Sequence, residues 1–246
     1  MRSSPTWTSE ARDFAVQTKG DDSPVTEADA RAEAVIVAGL ATLPGFEGWP
    51  VVAEESVAAG QVPVVGRGFW LVDPLDGTRE FISRNGEFTV NIAWIVDGAP
   101  QAGVVWAPAL QCLWAGLVGA PALAWTERGP APQRRAIGTR PCAAPPVVVA
   151  SRSHGDPVAL RAHVQARCPN GPDASWRDVG SSLKFGLLAE GQADFYPRLS
   201  RTMEWDTAAG DAVLRAAGGR VCTLDGAPLR YGKPGFENPA FEAWGR

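Results

Sequence analysis

The stretch Trp70–Phe81, WLVDPLDGTREF, constrains this chain more than any other. Phe69–Val72 is a short apolar run bounded by Gly68 and Pro74, the pattern of a buried strand. The strand is expected to end on Asp73, because Pro74 has no N–H with which to continue a ladder. Asp76 follows, and Gly77-Thr78 open a helix predicted over Thr78–Ser83. Two carboxylates and a set of helix-start N–H groups therefore meet at one strand end. The N–H groups and the positive end of the helix dipole favour a phosphate, whereas the carboxylates favour a cation. A place that needs both is a metal-assisted phosphoryl site. Taken alone, D-P-x-D also reads as a turn in which Asp serves local hydrogen bonding.

Polar residues close other segments in the same way. Ser23–Asp29 is a helix entry with Thr26 as N-cap and Asp29 in the capping-box position. Ala28, Ala32, Val35, Ile36, Leu40 and Leu43 then recur at helical spacing until Leu43-Pro44-Gly45. Residues 1–22 are polar, with at most a short helix over Glu10–Thr18. Pro50–Ala53 reads as a strand running into Glu54-Glu55-Ser56, and two adjacent acids in a strand point to opposite faces. Phe88–Val96, the turn Asp97-Gly98 and Gln101–Trp106 form a hairpin, which Leu113–Leu117 and Ala122–Trp125 extend into a meander. Trp94, Trp106, Trp114 and Trp125 follow its alternation and read as core.

Gly129–Pro146 lacks periodicity and reads as the connection between two lobes, drawn at 1–140 and 141–246. Val147–Ala150 is a strand ending on Ser151-Arg152-Ser153-His154, and Asp156-Pro157 supply the N-cap and first residue of a helix to about Cys168. Gly180–Phe185 starts another helix, stopped by Gly191. Its hydroxyls, N–H groups and Lys184 suit an anion, and plain N-capping by Ser181 is the alternative. A strand over Ala193–Tyr196 precedes Arg198; Asp206 stands at a helix start, where an N-cap is the local reading; Arg220–Thr223 is a closing strand.

Composition narrows the function classes. A net charge of -4 argues against a surface that coats nucleic acid. Cys112, Cys142, Cys168 and Cys222 are scattered without a C-x-x-C, which indicates neither a zinc site nor a disulfide framework. No apolar run is long enough to span a bilayer, and no signal-peptide pattern opens the chain, so a cytoplasmic protein is expected.

The segments Asp73–Thr78 (D-P-L-D-G-T) and Trp205–Ala209 (W-D-T-A-A) resemble the two signatures of the inositol monophosphatase superfamily of lithium-sensitive, magnesium-dependent phosphatases. Arg79-Glu80-Phe81 with Asn85–Asn91, S-R-S-H at 151–154, G-S-S-L-K at 180–184 and Y-P-R at 196–198 resemble its 3'(2'),5'-bisphosphate nucleotidase (CysQ-type) branch. The resemblance runs from about Ser23 to Phe241. It implies the sugar-phosphatase fold, an α/β layered sandwich with two mixed sheets. It also implies two magnesium ions, or three: one on Glu54, Asp73 and the Leu75 carbonyl, another on Asp73, Asp76 and Asp206. By the same resemblance Thr78 and Asp29 deprotonate the attacking water, and Gly77 and Thr78 N–H groups hold the phosphate. His154, Ser181, Lys184 and Arg198 contact the nucleotide and its second phosphate. The 1–140 lobe would then carry the metals and the 141–246 lobe the nucleotide.

The implied activity is hydrolysis of adenosine 3',5'-bisphosphate, a by-product of sulfate assimilation, to AMP. An inositol or sugar monophosphatase, and a non-catalytic sensor of nucleotide or metal, are the alternatives. The implied location is cytoplasmic or peripheral at the inner membrane, without an integral membrane segment. Oligomeric state is left open. Members of the superfamily open with a longer amphipathic helix before S-P-V-T, so a start further upstream, or an uncovered layer, is expected here.

Overall fold

The computed structural model describes residues 17–18, 24–119, 123–152, 155–168 and 173–246. The Ser153-His154 pair and all but the end of the short helix expected over Glu10–Thr18 lie outside them. Gln17–Thr18 (β1) instead pairs with Pro24–Val25 (β2) as an antiparallel bridge into the first helix.

That helix, α1 (Glu27–Leu40), carries the expected capping box: Thr26 accepts from the Ala28 N–H, and Asp29 Oδ2 accepts from the Thr26 N–H at 2.8 Å. It ends before Leu43, and Val35 and Leu43 are exposed, so the apolar stripe is narrower than its spacing suggests. Its buried face carries Asp29, Glu33 and Leu40. The strand β3 (Val51–Ala53) passes directly into the short helix α2 (Glu54–Ala58). The two acids therefore lie on a helical turn rather than on opposite faces of a strand. Glu33 sets that turn by accepting the N–H groups of Glu55 and Ser56 at 2.8 and 2.9 Å.

Strand β4 (Gly68–Asp76) extends past Asp73, contrary to the stop expected from Pro74. The ladder to β5 (Thr89–Val96) is broken between Asp73 and Asp76 and resumes at Asp76 opposite Thr89. Proline thus produces an irregularity, not an end. The one-turn helix α3 covers Thr78–Ile82. Strands β6 (Ala99–Ala107), β7 (Cys112–Leu117), β8 (Leu123–Arg128) and β9 (Arg135–Ala136) complete a seven-stranded sheet in the order β3-β4-β5-β6-β7-β8-β9. Only its first pair is parallel, so the sheet is mixed. Asp97 and Gly98 both have positive φ (50° and 70°), the backbone a tight hairpin requires.

The second half of the chain builds β10 (Val147–Ala150), α4 (Pro157–Arg167), β11 (Ser175–Asp178), α5 (Leu183–Ala189), β12 (Phe195–Arg198), β13 (Thr202–Met203), α6 (Glu204–Ala216), β14 (Arg220–Thr223), β15 (Glu237–Asn238) and β16 (Phe241–Trp244). Five of these strands form a second mixed sheet, β11-β10-β12-β16-β14. The strands β11 and β16 are too short and irregular in pattern to stand out in the sequence.

The packing gives five layers. Helices α1 and α2 cover the outer face of the seven-stranded sheet through Leu40, Ala53, Trp70 and Val72. Helices α5 and α6 fill the space between the sheets, and α4 covers the outer face of the second sheet through Val164 against Val148 and Phe195. One apolar cluster runs from Phe69, Leu71 and Ile95 through Leu188 and Val213 to Val149, Phe241 and Ala243. The sheets change at the connection near residue 140, but the core does not divide there. Of the four meander tryptophans only Trp114 faces this core; Trp94 packs on the outer face with Phe46 and Trp49. None of the helices among the described residues is long and apolar enough to cross a membrane.

Helix α6 lies on β6 and β7 so closely that a Cβ on Gly103 would stand 2.4 Å from the Ala209 carbonyl oxygen, and one on Gly116 2.7 Å from Val213 Cα. Both obstacles are backbone and have no side chain to move aside. Gly103→Ala should therefore destabilise the protein by about 2–3 kcal/mol, a fall of roughly 5–10 °C in Tm for a chain of this size. An unchanged melting curve would show that the helix is free to lift.

Candidate active site

The carboxylates converge because of register. Ala53 pairs with Val72 across the parallel β3–β4 contact, so the next residues, Glu54 and Asp73, emerge side by side at the same sheet end. Asp76 follows on the far side of the break in β4. Asp206 arrives from the other half of the chain on the first turn of α6. It is the third residue of that helix, not its N-cap, and its Oδ2 accepts from the Met203 N–H at 2.8 Å. All four acids line a cavity of about 360 Å³ together with Leu75, Gly77, Thr78, Ser181, Lys184 and Arg198.

Electrostatics set this group apart from buried acids of the second half such as Asp194 and Glu242. Asp194 and Glu242 are paired with Arg140 and Arg167. Among the described residues Asp73, Asp76 and Asp206 have no Lys or Arg ion pair. Burial pushes the Asp73 carboxyl well above its ordinary range, and Glu54, Asp76 and Asp206 push it further. Burial, then Asp76 and Glu54, do the same to Asp206. Among the described residues no three of these acids are drawn together closely enough to close on an ion as they stand. Each rests on a protein donor: Asp73 Oδ1 on the Leu75 N–H, Asp76 Oδ2 on Ser182, Asp206 Oδ2 on Met203. An all-oxygen, all-anionic set with one oxygen of each aspartate anchored fits a hard divalent cation.

The Thr78 hydroxyl donates to Asp29 Oδ1 at 3.3 Å, with the Leu75 carbonyl at 3.4 Å. Asp29 is 1% exposed, and its other oxygen is held by the N–H and hydroxyl of Thr26. The cap and the site thus use different oxygens of one group. Gly77 has φ +92°, the left-handed region, which turns the chain from β4 into α3. With only five residues, α3 has little macrodipole, so any anion attraction there comes from local N–H groups.

The expected anion site of the second half is also assembled, with different detail. Ser182, not Ser181, occupies the N-cap of α5, and Ser181 has φ +43° and a buried hydroxyl without a partner among the described residues. Lys184 is 4% exposed; its Nζ donates to the Val179 carbonyl at 3.0 Å and to that of Ser181, and lies 5.2 Å from the Tyr196 ring centroid. Burial lowers its pKa to about 8, with Asp76 opposing that shift. Arg198 is 9% exposed, donates through Nη2 to the Arg201 carbonyl at 3.1 Å, and has no hydrogen bond at Nε among the described residues. His154 lies outside the described residues.

The sequence reading missed Ser182, Asn91, Glu33 and Glu87. Glu87 accepts from the Gly180 N–H at 2.8 Å and from Arg152 at 3.0 Å, tying the two anion-facing loops together. Asn91 and Glu33 were detectable: each is a polar residue at an inward position of an otherwise regular pattern.

The inositol monophosphatase family pattern matches residues 6–244. The 3'(2'),5'-bisphosphate nucleotidase CysQ of Escherichia coli strain K12 is 47% identical over 227 residues, 92% of this chain and 87% of that protein. The chain belongs to the inositol monophosphatase family. The nucleotidase CysQ of Salmonella typhimurium strain LT2 is 48% identical over 225 residues, 91% of this chain and 86% of its own. The crystal structure of CysQ from Bacteroides thetaiotaomicron superposes with a TM-score of 0.76 at 37% identity, covering 92% of this chain and 86% of that one. The layered fold with two mixed sheets is thus the family's fold. It is a metal-dependent family, typically with magnesium.

The raised Asp73 carboxyl has a consequence for the metal-free protein. A carboxyl whose folded pKa exceeds its unfolded value near 3.8 favours folding at low pH, and this contribution is lost as pH rises through the folded pKa. Asp73→Asn should therefore raise the Tm of chelator-treated protein at pH 8 and leave it nearly unchanged at pH 4, each unit of displaced pKa being about 1.4 kcal/mol. Magnesium should stabilise the native protein more than the variant. A lower Tm for Asp73→Asn at pH 8 would show that the carboxylate is held by something other than repelling neighbours.

Proposed function

We infer that the protein is a 3'(2'),5'-bisphosphate nucleotidase, hydrolysing adenosine 3',5'-bisphosphate to AMP and phosphate. The observation that carries this reading is a cavity lined by both acids and bases in a chain 47% identical to such a nucleotidase. The cavity's acids include Glu54, Asp73, Asp76 and Asp206, and its bases include Lys184 and Arg198. A second cavity of about 230 Å³ adjoins the first through Ser151 and Arg198, with Leu160, Pro197 and Leu199 as apolar walls suited to a nucleoside. In this reading a monophosphate of inositol, with its one phosphate at the metal-binding acids, would leave Lys184 and Arg198 without a second phosphate to bind.

In this reading Glu54, Asp73, the Leu75 carbonyl, Asp76 and Asp206 hold magnesium, which supplies positive charge to the phosphate and acidity to water. Thr78 takes a proton from the attacking water as its own hydroxyl proton passes to Asp29 Oδ1, along the 3.3 Å contact. Thr26 keeps Asp29 turned towards Thr78. The N–H groups of Gly77 and Thr78 orient the 3'-phosphate, and a water on Asp206 protonates the leaving 3'-oxygen. Ser181, Lys184 and Arg198 receive the 5'-phosphate, and the family resemblance adds a nucleotide contact from His154. The metal-binding residues come mainly from 1–140 and the nucleotide contacts from 141–246. The family resemblance adds lithium inhibition, a cytoplasmic setting and a role in clearing a by-product of sulfate assimilation.

Asp73→Asn should lower turnover by at least ~100-fold at saturating magnesium, the scale of losing one strong electrostatic contact in the transition state. Near-native turnover would refute the metal assignment.

Substrate choice is tested at Arg198, since Lys184 also braces its own loop. Arg198→Ala should lower kcat/KM for adenosine 3',5'-bisphosphate by roughly 30- to 150-fold, the equivalent of about 2–3 kcal/mol for a desolvated charged contact. Adenosine 3'-monophosphate and inositol 1-phosphate should be affected far less. The native preference for the bisphosphate over the 3'-monophosphate should also fall as pH rises through about 8, because Lys184 then loses its proton. A cation on Asp76 cancels the force that lifts this pKa, so the fall begins at or below that pH. Equal losses on all three substrates, or a native preference for inositol 1-phosphate, would overturn the nucleotidase reading.

A further inference from the structure

Ser182 stands at the N-cap of α5, where a serine ordinarily accepts an N–H from the following turn. Its hydroxyl caps nothing there. It is 2% exposed and turned towards the carboxylates, with Oγ 2.7 Å from Asp76 Oδ2 and 2.7 Å from the main-chain carbonyl oxygen of Asp206. Asn91 Nδ2 donates to the same Oγ at 2.9 Å and reaches Asp76 Oδ2 at 3.3 Å. One hydroxyl therefore touches the end of β4, the strand β5 behind it and the first turn of α6.

We propose that Ser182 is a positioning residue that fixes the separation of Asp76 and Asp206, and through it the affinity of the site for a divalent cation. The proposal rests on the carboxylate assignment above and deepens it. A serine has one hydroxyl proton and here two acceptors, so that proton is shared between a carboxylate of one half of the chain and the backbone of the other. Asn91 supplies a second donor to the group, which keeps the oxygen charged with hydrogen bonds in either arrangement. With Oδ2 anchored, Asp76 presents Oδ1, which has no hydrogen bond among the described residues, to the cavity. The remaining donors to Oδ2, Asn91 and Thr89, are long at 3.3 and 3.4 Å. Without the serine hydroxyl the carboxylate is free to turn, and Asp206 loses its tie to the opposite lobe.

The other acids are held by backbone N–H groups from their own segments, Leu75 for Asp73 and Met203 for Asp206. Asp76 alone of these three depends on side chains from elsewhere in the chain. This is why a hydroxyl in the second half, with no place in the phosphate or nucleotide contacts, bears on the cation.

The test is magnesium binding measured by titration calorimetry on the full chain, alongside activity against magnesium concentration. Ser182→Ala should weaken magnesium binding about 10- to 100-fold and shift half-saturation of activity by the same factor. KM for the bisphosphate at saturating magnesium should stay within about threefold of native. Ser182→Thr, which keeps the hydroxyl, should restore magnesium affinity, and Asn91→Ala should weaken it by a smaller factor. A purely structural serine would lower Tm while leaving magnesium affinity native, and that result overturns the proposal. So does native affinity in Asn91→Ala should Ser182→Ala fail to fold. If native protein binds no magnesium at all, the metal assignment itself fails, which is a different outcome from native and variant binding it equally.

Discussion

Everything at the cavity depends on how closely α6 lies against the seven-stranded sheet. Gly103 and Gly116 leave no side chain between them and the Ala209–Val213 backbone, and the small residues Ala208, Ala209 and Ala212 complete the contact. The approach has a chemical purpose, because Asp206 rides on the first turn of the same helix. A helix held a side chain further away would carry that carboxylate out of reach of Asp73 and Asp76. The apolar core between the sheets is thus what holds like charges near one another against their repulsion.

Polar contacts, as well as the core, join the two halves of the chain. Glu87 on the first half holds the Gly180 N–H and Arg152 of the second; Asn91 and Asp76 hold Ser182; and Trp114 donates to Glu190 at 2.7 Å. Lys184 and Arg198 are buried on the second half with their donors partly committed to backbone carbonyls. Their charge is therefore fixed in place before any anion arrives, so binding one requires little reordering of long side chains. Acids and bases thus line one cavity, each held by the fold.

Local signals in the sequence carried as far as one segment reaches. The Thr26–Asp29 capping box, the Asp97-Gly98 turn and the Asp156-Pro157 helix start depend on neighbours within a few residues, and each forms as the spacing indicates. Pro74 was misleading for the opposite reason. Its missing N–H argues for a strand end, yet pairing across to β5 carries β4 on to Asp76. Glu54 and Glu55 read as strand residues until Glu33, from another helix, caps the turn they begin. The inward tryptophan of the meander could not be told from the three outward ones, because strand alternation gives two faces without saying which one meets the core.

By itself the sequence placed carboxylates, hydroxyls and cations near the ends of strands and helices, and so determined which were available to a site. It also determined, through D-P-L-D-G-T and W-D-T-A-A, the family to which the chain belongs. Only the tertiary structure decided that Ser182 anchors Asp76, that Lys184 is buried against Tyr196, and that Asp206 meets acids more than a hundred residues earlier in the chain. The physical reason is range. Caps, turns and periodicity are set by bonds between near neighbours, whereas repulsion among buried carboxylates and the hydrogen bonds that restrain them exist only once distant segments have been packed together.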